Sequence, residues 1–315
     1  MTLVTQQVGA VRRTRGPSRL AVGVGLLFAL AVVLALGLIR AGDPGPIDDT
    51  ADRVVAELPR EAPRPAGSRR VLRASAVVAE RPAPEDPIRR ARRAIADCRE
   101  RFQAVKDYTC TFLKRERVDG KPTPLFIMAM KVRSEPRSLY LRLQQPRGGR
   151  EAIFVAGRDR DRALVHDVGL GRLLAGTLRL DPKGPMAMED CRHPITEAGL
   201  GHLIETVSER WNAELRPGES RLEFDPACTV AGRPCLRIDS THTEHRPGDM
   251  FQRVRLFIDD ELGLPIRFEA YDWPAAPGAG PELVEEYTYK DLRLNVGLTD
   301  LDFDTRNPAY KFGRF

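Results

Sequence analysis

Signatures of common catalytic folds are missing from this sequence. It has no Gly-x-Ser-x-Gly elbow, no Walker loop and no dinucleotide-binding glycine pattern. It also lacks zinc-finger spacing and any run in which Arg and aromatics interleave, which sets aside the usual nucleic-acid modules. Residues 1–40 contain no acid, yet they hold Arg12, Arg13, Arg15, Arg19 and Arg40. The whole chain has 50 Lys and Arg against 44 Asp and Glu, a formal charge of +6. With those five arginines set apart, the remainder is nearly balanced and offers no broad basic surface for nucleic acid. Cysteine is scarce, with five in 315 residues: Cys98, Cys110, Cys191, Cys228 and Cys235. None closely follows the apolar N-terminal run, so a lipid-modified N-terminus is not expected.

That run, from Leu20 to Ile39, is twenty residues without a charge. At about 1.5 Å per residue it is long enough to cross a bilayer. The arginines before it predict residues 1–19 in the cytoplasm and the rest outside. The run exceeds the roughly 7–15 residues of a cleaved signal core, and Ile39-Arg40-Ala41-Gly42-Asp43 is a poor cleavage site. An uncleaved inner-membrane anchor is therefore expected, with secretion to the periplasm after cleavage as the alternative. Residues 40–85 are rich in Pro, Ala and Arg without a sustained apolar period and read as a disordered linker. A coil of that length reaches roughly 35–40 Å.

The folded domain begins at residue 86. Ile88, Ala91, Ile95, Cys98, Phe102 and Val105 fall alternately three and four residues apart, with Arg89, Arg92, Arg93 and Arg99 between them. This predicts an amphipathic helix over 86–108, with Asp86 as N-cap and Pro87 in the first turn. From Tyr108 the period changes to two, and short alternating runs follow: 108–118, 125–133, 139–144, 151–156 and 163–166. A second helix is expected from Thr196 to Leu215, with Thr196 as cap. Strands resume over 221–225, 235–241, 251–259, 264–273 and 282–294. In the last, Tyr287 and Tyr289 share a phase that Leu292 and Leu294 do not, which calls for a bulge near Lys290-Asp291. The pattern is α+β: one long antiparallel sheet with two helices laid against it.

The stretch 169–194 is rich in Gly, Pro, Leu and Met with no clean period. Long segments of this kind are lids or binding loops, or plain surface excursions. A two-residue turn at Ala231-Gly232 would place Cys228 opposite Cys235, within disulfide reach. A bridge and a pair of free thiols are both open. His242-x-x-His245 points to opposite strand faces and is read as an exposed strand end rather than a metal site. Asp259-Asp260-Glu261 before Gly263, and Gly148-Gly149 after Pro146, are read as turns.

Tyr108-x-Cys110-x-Phe112-x-Lys114-x-Glu116 resembles the start of an exported bacterial family, domain of unknown function 1571. The likeness continues through Gly148-Gly149-Arg150-Glu151, Leu180-Asp181-Pro182 and His193-Pro194-Ile195-Thr196. It ends at Asn295-Val296-Gly297-Leu298, Asp302-Phe303-Asp304 and Asn307-Pro308-Ala309-Tyr310. The family carries over no catalytic residue. The hairpin 258–267 is also similar to those of LolA/LolB-type lipoprotein carriers. That resemblance implies a curved, half-open antiparallel barrel around the helices, with an apolar cavity for acyl chains. The expected groove residues are Phe126, Met128, Met130, Phe154, Met186, Met188 and Phe251. The expected partner is a lipid or the acyl chain of a lipoprotein, without enzymatic activity, cofactor or nucleic acid. An envelope protein-interaction module with a closed core is the alternative.

Overall fold

Pro87 and Asp86 start the first helix as their chemistry requires. In the computed structural model, which describes residues 85–167, 176–276 and 278–312, helix α1 spans Pro87–Phe102, and the Asp86 carboxylate accepts from the Arg89 amide at 3.0 Å. These residues fall in one compact unit, Ala79–Phe315. The helix ends earlier than its apolar stripe suggests. Residues 103–106 are drawn toward Asn295, whose side chain accepts from the Lys106 amide and donates to the Ala104 carbonyl. Val105 is nevertheless buried and Phe102 half-buried against the core.

The strands are β1 (Asp107–Val118), β2 (Lys121–Pro122), β3 (Phe126–Arg133), β4 (Ser138–Gln145), β5 (Glu151–Val155), β6 (Ala163–His166) and β7 (Thr177–Leu180), followed by β8 (Ser220–Val230), β9 (Arg233–His242), β10 (Arg253–Asp259), β11 (Pro265–Asp272) and β12 (Glu282–Leu294). All described pairings are antiparallel. The order is β7-β6-β5-β4-β3-β1-β12-β11-β10-β9-β8, an open sheet with β2 on β1. The first and last strands of the chain's two meanders, β1 and β12, close the sequence into one layer. The bulge sits where the phase shift requires it: the β1–β12 register slips between Thr109 and Thr111, and Asp291 has φ 55°. Strand β7 lies inside a stretch with no visible period and forms one edge.

Helix α2 (Leu200–Glu214) starts later than expected. Thr196 belongs to a 3-10 turn, Ile195–Glu197, and does not cap α2. Gly199, at φ 109°, makes the break. A Cβ there would lie 2.6 Å from the Tyr108 hydroxyl, which accepts from the Leu200 amide at 2.8 Å. Gly201 lets the helices meet, because a Cβ there would lie 2.7 Å from the Phe102 ring. At the far end Arg92 donates to the carbonyls of Trp211, Asn212 and Leu215; the Trp211 carbonyl also accepts from the Leu215 amide, and the other two lie where a helix end leaves carbonyls without helical partners. The inner face of the sheet and both helices then share one core, in which Ala91, Tyr108, Leu139, Leu200, Ile238, Leu256 and Ala270 are fully buried.

Among the described residues no helix is long and apolar enough to cross a membrane. The expected segments 1–19 and 20–39, and the expected linker 40–85 except Glu85, lie outside the described residues.

Candidate functional site

The alternation that builds β1 puts charge on an apolar face. Tyr108, Cys110 and Phe112 join the core, and the same period carries Lys114 and Glu116 inward after them. Both are buried, and Lys114 Nζ lies 2.7 Å from Glu116 Oε2. Buried charges persist only when paired and hydrogen-bonded, and here the remaining partners come from far along the chain. Tyr287, opposite Lys114 on β12, donates its hydroxyl to Glu116 Oε1 at 2.6 Å. Residues 190–193 cross this end of the sheet as a strap. Lys114 donates to the Asp190 carbonyl and to Cys191 Sγ, and the Arg192 amide donates to Glu116 Oε2 at 2.9 Å.

Glu285, buried beside them, anchors the strap a second time. Arg192 Nε lies 2.7 Å and His193 Nε2 2.9 Å from its Oε1. His193 Nδ1 is also 3.5 Å from Glu197. The electrostatics follow from these contacts. Burial is the largest influence on the Lys114 ammonium and lowers its pKa, but the charge of Glu116, Cys191 and the hydrogen bonds to both together outweigh it, and the net shift is upward. The hydrogen bond to Glu285 raises the His193 pKa. Burial pushes the Glu285 carboxyl up, and His193 and Arg192 pull it below its ordinary range. Burial drives the Tyr287 phenol well above its usual value. The cluster is charge-compensated and holds a strap in place.

Next to it, on the same inner face, runs a strip of half-buried apolar side chains. Met128 pairs with Leu143 across β3–β4, and Leu141, Ala152, Val165 and Leu178 stand opposite one another in turn across β4, β5, β6 and β7. Phe126 continues the strip beneath Lys114, whose Nζ sits 5.6 Å from the ring centroid. Over β9–β12 the equivalent face packs with the helices in the core, where Ile238, Leu256, Phe268 and Ala270 are buried and Leu236 and Val254 half-buried.

The expected groove residues separate accordingly. Phe126 and Met128 lie on the strip. Met130, Phe154 and Phe251 are packing residues of the core, at 1%, 5% and 8% exposure. Met188 is half-buried on residues 184–190, and Met186 is 66% exposed and joins neither group. Lys114, Glu116, Arg192 and Glu285 are the residues that sequence reasoning passed over. The in-phase charges of β1 were the one local sign of them.

Elsewhere, Cys228 stands opposite Cys235 in the β8–β9 register, and both are free thiols. Cys228 Sγ donates to Asp225, and Cys235 Sγ to the Arg233 carbonyl. His242 is not at an exposed strand end. It is buried with Glu214 and Asp249, and the three present ligand-type atoms within 4.8 Å of one another. Arg216 holds both Asp249 oxygens at 2.8 and 2.9 Å, and Arg210 holds Glu214 at 3.1 Å, so the carboxylates are already engaged. The 260–263 and 146–149 segments are turns, as expected.

The described residues thus form an open antiparallel sheet with two helices across one face. The model of the family described as protein of unknown function (DUF1571) matches residues 105–312, and the chain belongs to that family. No curated protein matches it. Among solved structures it is similar to MucB (14% identity, TM-score 0.39), with 69% of this chain matched to 62% of that one, so the match spans less than two thirds of MucB. It is also similar to the Mycobacterium tuberculosis lipoprotein LppX (12% identity, TM-score 0.39; 69% of this chain, 99% of that one). A third is a DUF1329 family protein from Desulfovibrio piger (12% identity, TM-score 0.35; 70% and 98%).

Proposed function

We propose that this is a non-enzymatic, periplasm-facing domain that binds the acyl chain of a lipid or lipid-modified protein along the inner face of β3–β7. The apolar run 20–39 tethers it to the inner membrane, and residues 40–85 give it reach. The observation that supports this reading is the strip from Met128 and Leu143 to Val165 and Leu178. Its apolar side chains stay half-buried, whereas Ile238, Leu256 and Ala270 on the same face are fully buried under the helices. Partly covered apolar surface beside a few polar groups is the usual composition of a small-molecule groove.

Native mass spectrometry of the gently purified chain, with uptake of a fluorescent fatty acid, tests it. Co-purifying lipid and uptake that falls in Val165→Asp and Leu178→Asp are expected. A chain that carries no lipid and takes up none sinks the proposal. The sealed core under α1 and α2 favours a second reading, an envelope protein-interaction module with no ligand. In that case the same variants leave partner binding unchanged.

A further inference from the structure

The opposite face of β5–β7 carries a cavity that the acyl-binding reading does not use. It holds about 260 Å³ and lies between these strands and residues 303–305 of the C-terminal segment. Its floor is apolar, made by Ile153, Val155, Leu164 and Phe303. Its rim carries three guanidinium groups, from Arg158, Arg162 and Arg179.

These arginines are under-employed. Each has one long ion pair: Arg158 to Asp300 at 3.5 Å, Arg162 to Asp181 at 3.5 Å and Arg179 to Asp159 at 3.6 Å. A charge-assisted hydrogen bond is about 2.7–2.9 Å long, so all three forks keep donors to give. Two carboxylates share the lining, Asp159 and Asp304. Asp304 is taken by Arg306, which reaches both of its oxygens at 2.7–3.2 Å. Thr177 Oγ1, on the same lining, is buried and has no hydrogen-bond partner. The cavity therefore presents unmet donors above a hydrocarbon floor. A cationic pocket on an exposed loop would suit any anion, but the floor adds a demand for apolar bulk. A planar carboxylate matches guanidinium forks in geometry as well as charge.

We propose that this cavity binds a small carboxylate with a short hydrocarbon body. The head group lies against the rim arginines and Thr177, and the chain lies on Ile153, Val155, Leu164 and Phe303. The three arginine side chains are 45–69% exposed, so replacing them leaves the core intact.

Isothermal titration of the full chain with octanoate, and separately with inorganic phosphate, tests the assignment. Octanoate is expected to bind and phosphate to bind more weakly. The Arg162→Ala/Arg179→Ala variant should weaken octanoate about tenfold or more, the loss expected for charge-assisted bonds. Both titrations are made on Leu178→Asp, which blocks the acyl-binding strip on the opposite face, so that the binding read is that of the cavity. Octanoate binding to Leu178→Asp that survives addition of the two arginine substitutions, a Leu178→Asp chain that binds no octanoate, or phosphate as tight as octanoate each overturns the proposal.

Discussion

His193 and Glu285 meet at 2.9 Å where the strap crosses the open end of the sheet, and Arg192 shares the same carboxylate oxygen at 2.7 Å. The contact makes the strap's hold pH-dependent. His193 titrates above its ordinary 6.5 because of Glu285. A raised folded pKa means that the pair's stabilisation is fully present below about pH 6.5 and is lost as pH rises through the folded value. Glu285 acts in the opposite sense. Its depressed pKa gives stabilisation that is present above its ordinary 4.5 and is lost only as pH falls through the lower folded value. The melting-temperature gap between the wild-type chain and His193→Asn should be widest near pH 6 and should close toward pH ~9. A gap that stays constant across that range would remove the ion pair from the account.

Lys114 and Glu116 are unequal partners. Glu116 also accepts from the Tyr287 hydroxyl and the Arg192 amide, so it keeps two donors when Lys114 is lost. Removing Glu116 takes the acceptor from the Tyr287 hydroxyl and the Arg192 amide and the counter-charge from the buried Lys114 ammonium, which keeps only the neutral Asp190 carbonyl and Cys191 Sγ. Breaking a buried pair in this way costs about 3–5 kcal/mol. Urea denaturation should place Glu116→Leu in that range and Lys114→Met clearly below it. Equal losses would mean that the network is held by the pair alone.

Much of this arrangement was readable from residue order. The five apolar positions from Ile88 to Phe102 gave the helix face, with Val105 buried beyond its end, and the period of two from Tyr108 gave β1. The phase clash between Tyr289 and Leu292 located the bulge at Asp291. The polar cluster was not readable, although Lys114 and Glu116 sit in phase with Phe112. Their partners lie 76 and 171 residues away along the chain, and no local pattern announces a tertiary ion pair. The start of α2 was missed because Thr196 looks like a cap, whereas the Tyr108 hydroxyl supplies the partner for the Leu200 amide from another element. The C-terminal segment was missed because Phe303, Tyr310 and Phe312 cover the outer face of β4 and β5 from an irregular backbone with no period.

The closeness of Gly199 to Tyr108 can be tested by coupling. Ala at 199 meets both a left-handed backbone, which costs about 1–3 kcal/mol, and the Tyr108 hydroxyl at 2.6 Å. Tyr108→Phe alone removes one buried hydrogen bond and should cost about 1–3 kcal/mol. In the double variant the clashing oxygen is gone. The nearest remaining atoms are Val132 Cγ2 at 3.8 Å and the Tyr108 ring carbon Cζ at 3.9 Å, ordinary contacts. Gly199→Ala/Tyr108→Phe should therefore be less destabilised than the sum of the single variants. Additivity would show that backbone strain alone opposes a side chain at 199.

His166 gives the opposite kind of prediction, a stabilising one. It is 3% exposed on the outer face of β6, with Phe312 at 6.0 Å between ring centroids. Neither ring nitrogen has a hydrogen-bond partner. An imidazole always carries at least one donor, so burial without a partner leaves its desolvation uncompensated. Leucine is of similar bulk, has no polar atom, and would rest against Phe312 and its neighbours. His166→Leu should raise stability by about 1–2 kcal/mol, which for a domain of this size is a rise of about 2–4 °C or more in melting temperature. His166→Ala removes the same polar atoms but leaves a void, and should be destabilising. If leucine also destabilises, the imidazole has a partner in solution, such as a bound molecule, and the group belongs to a site rather than to the packing.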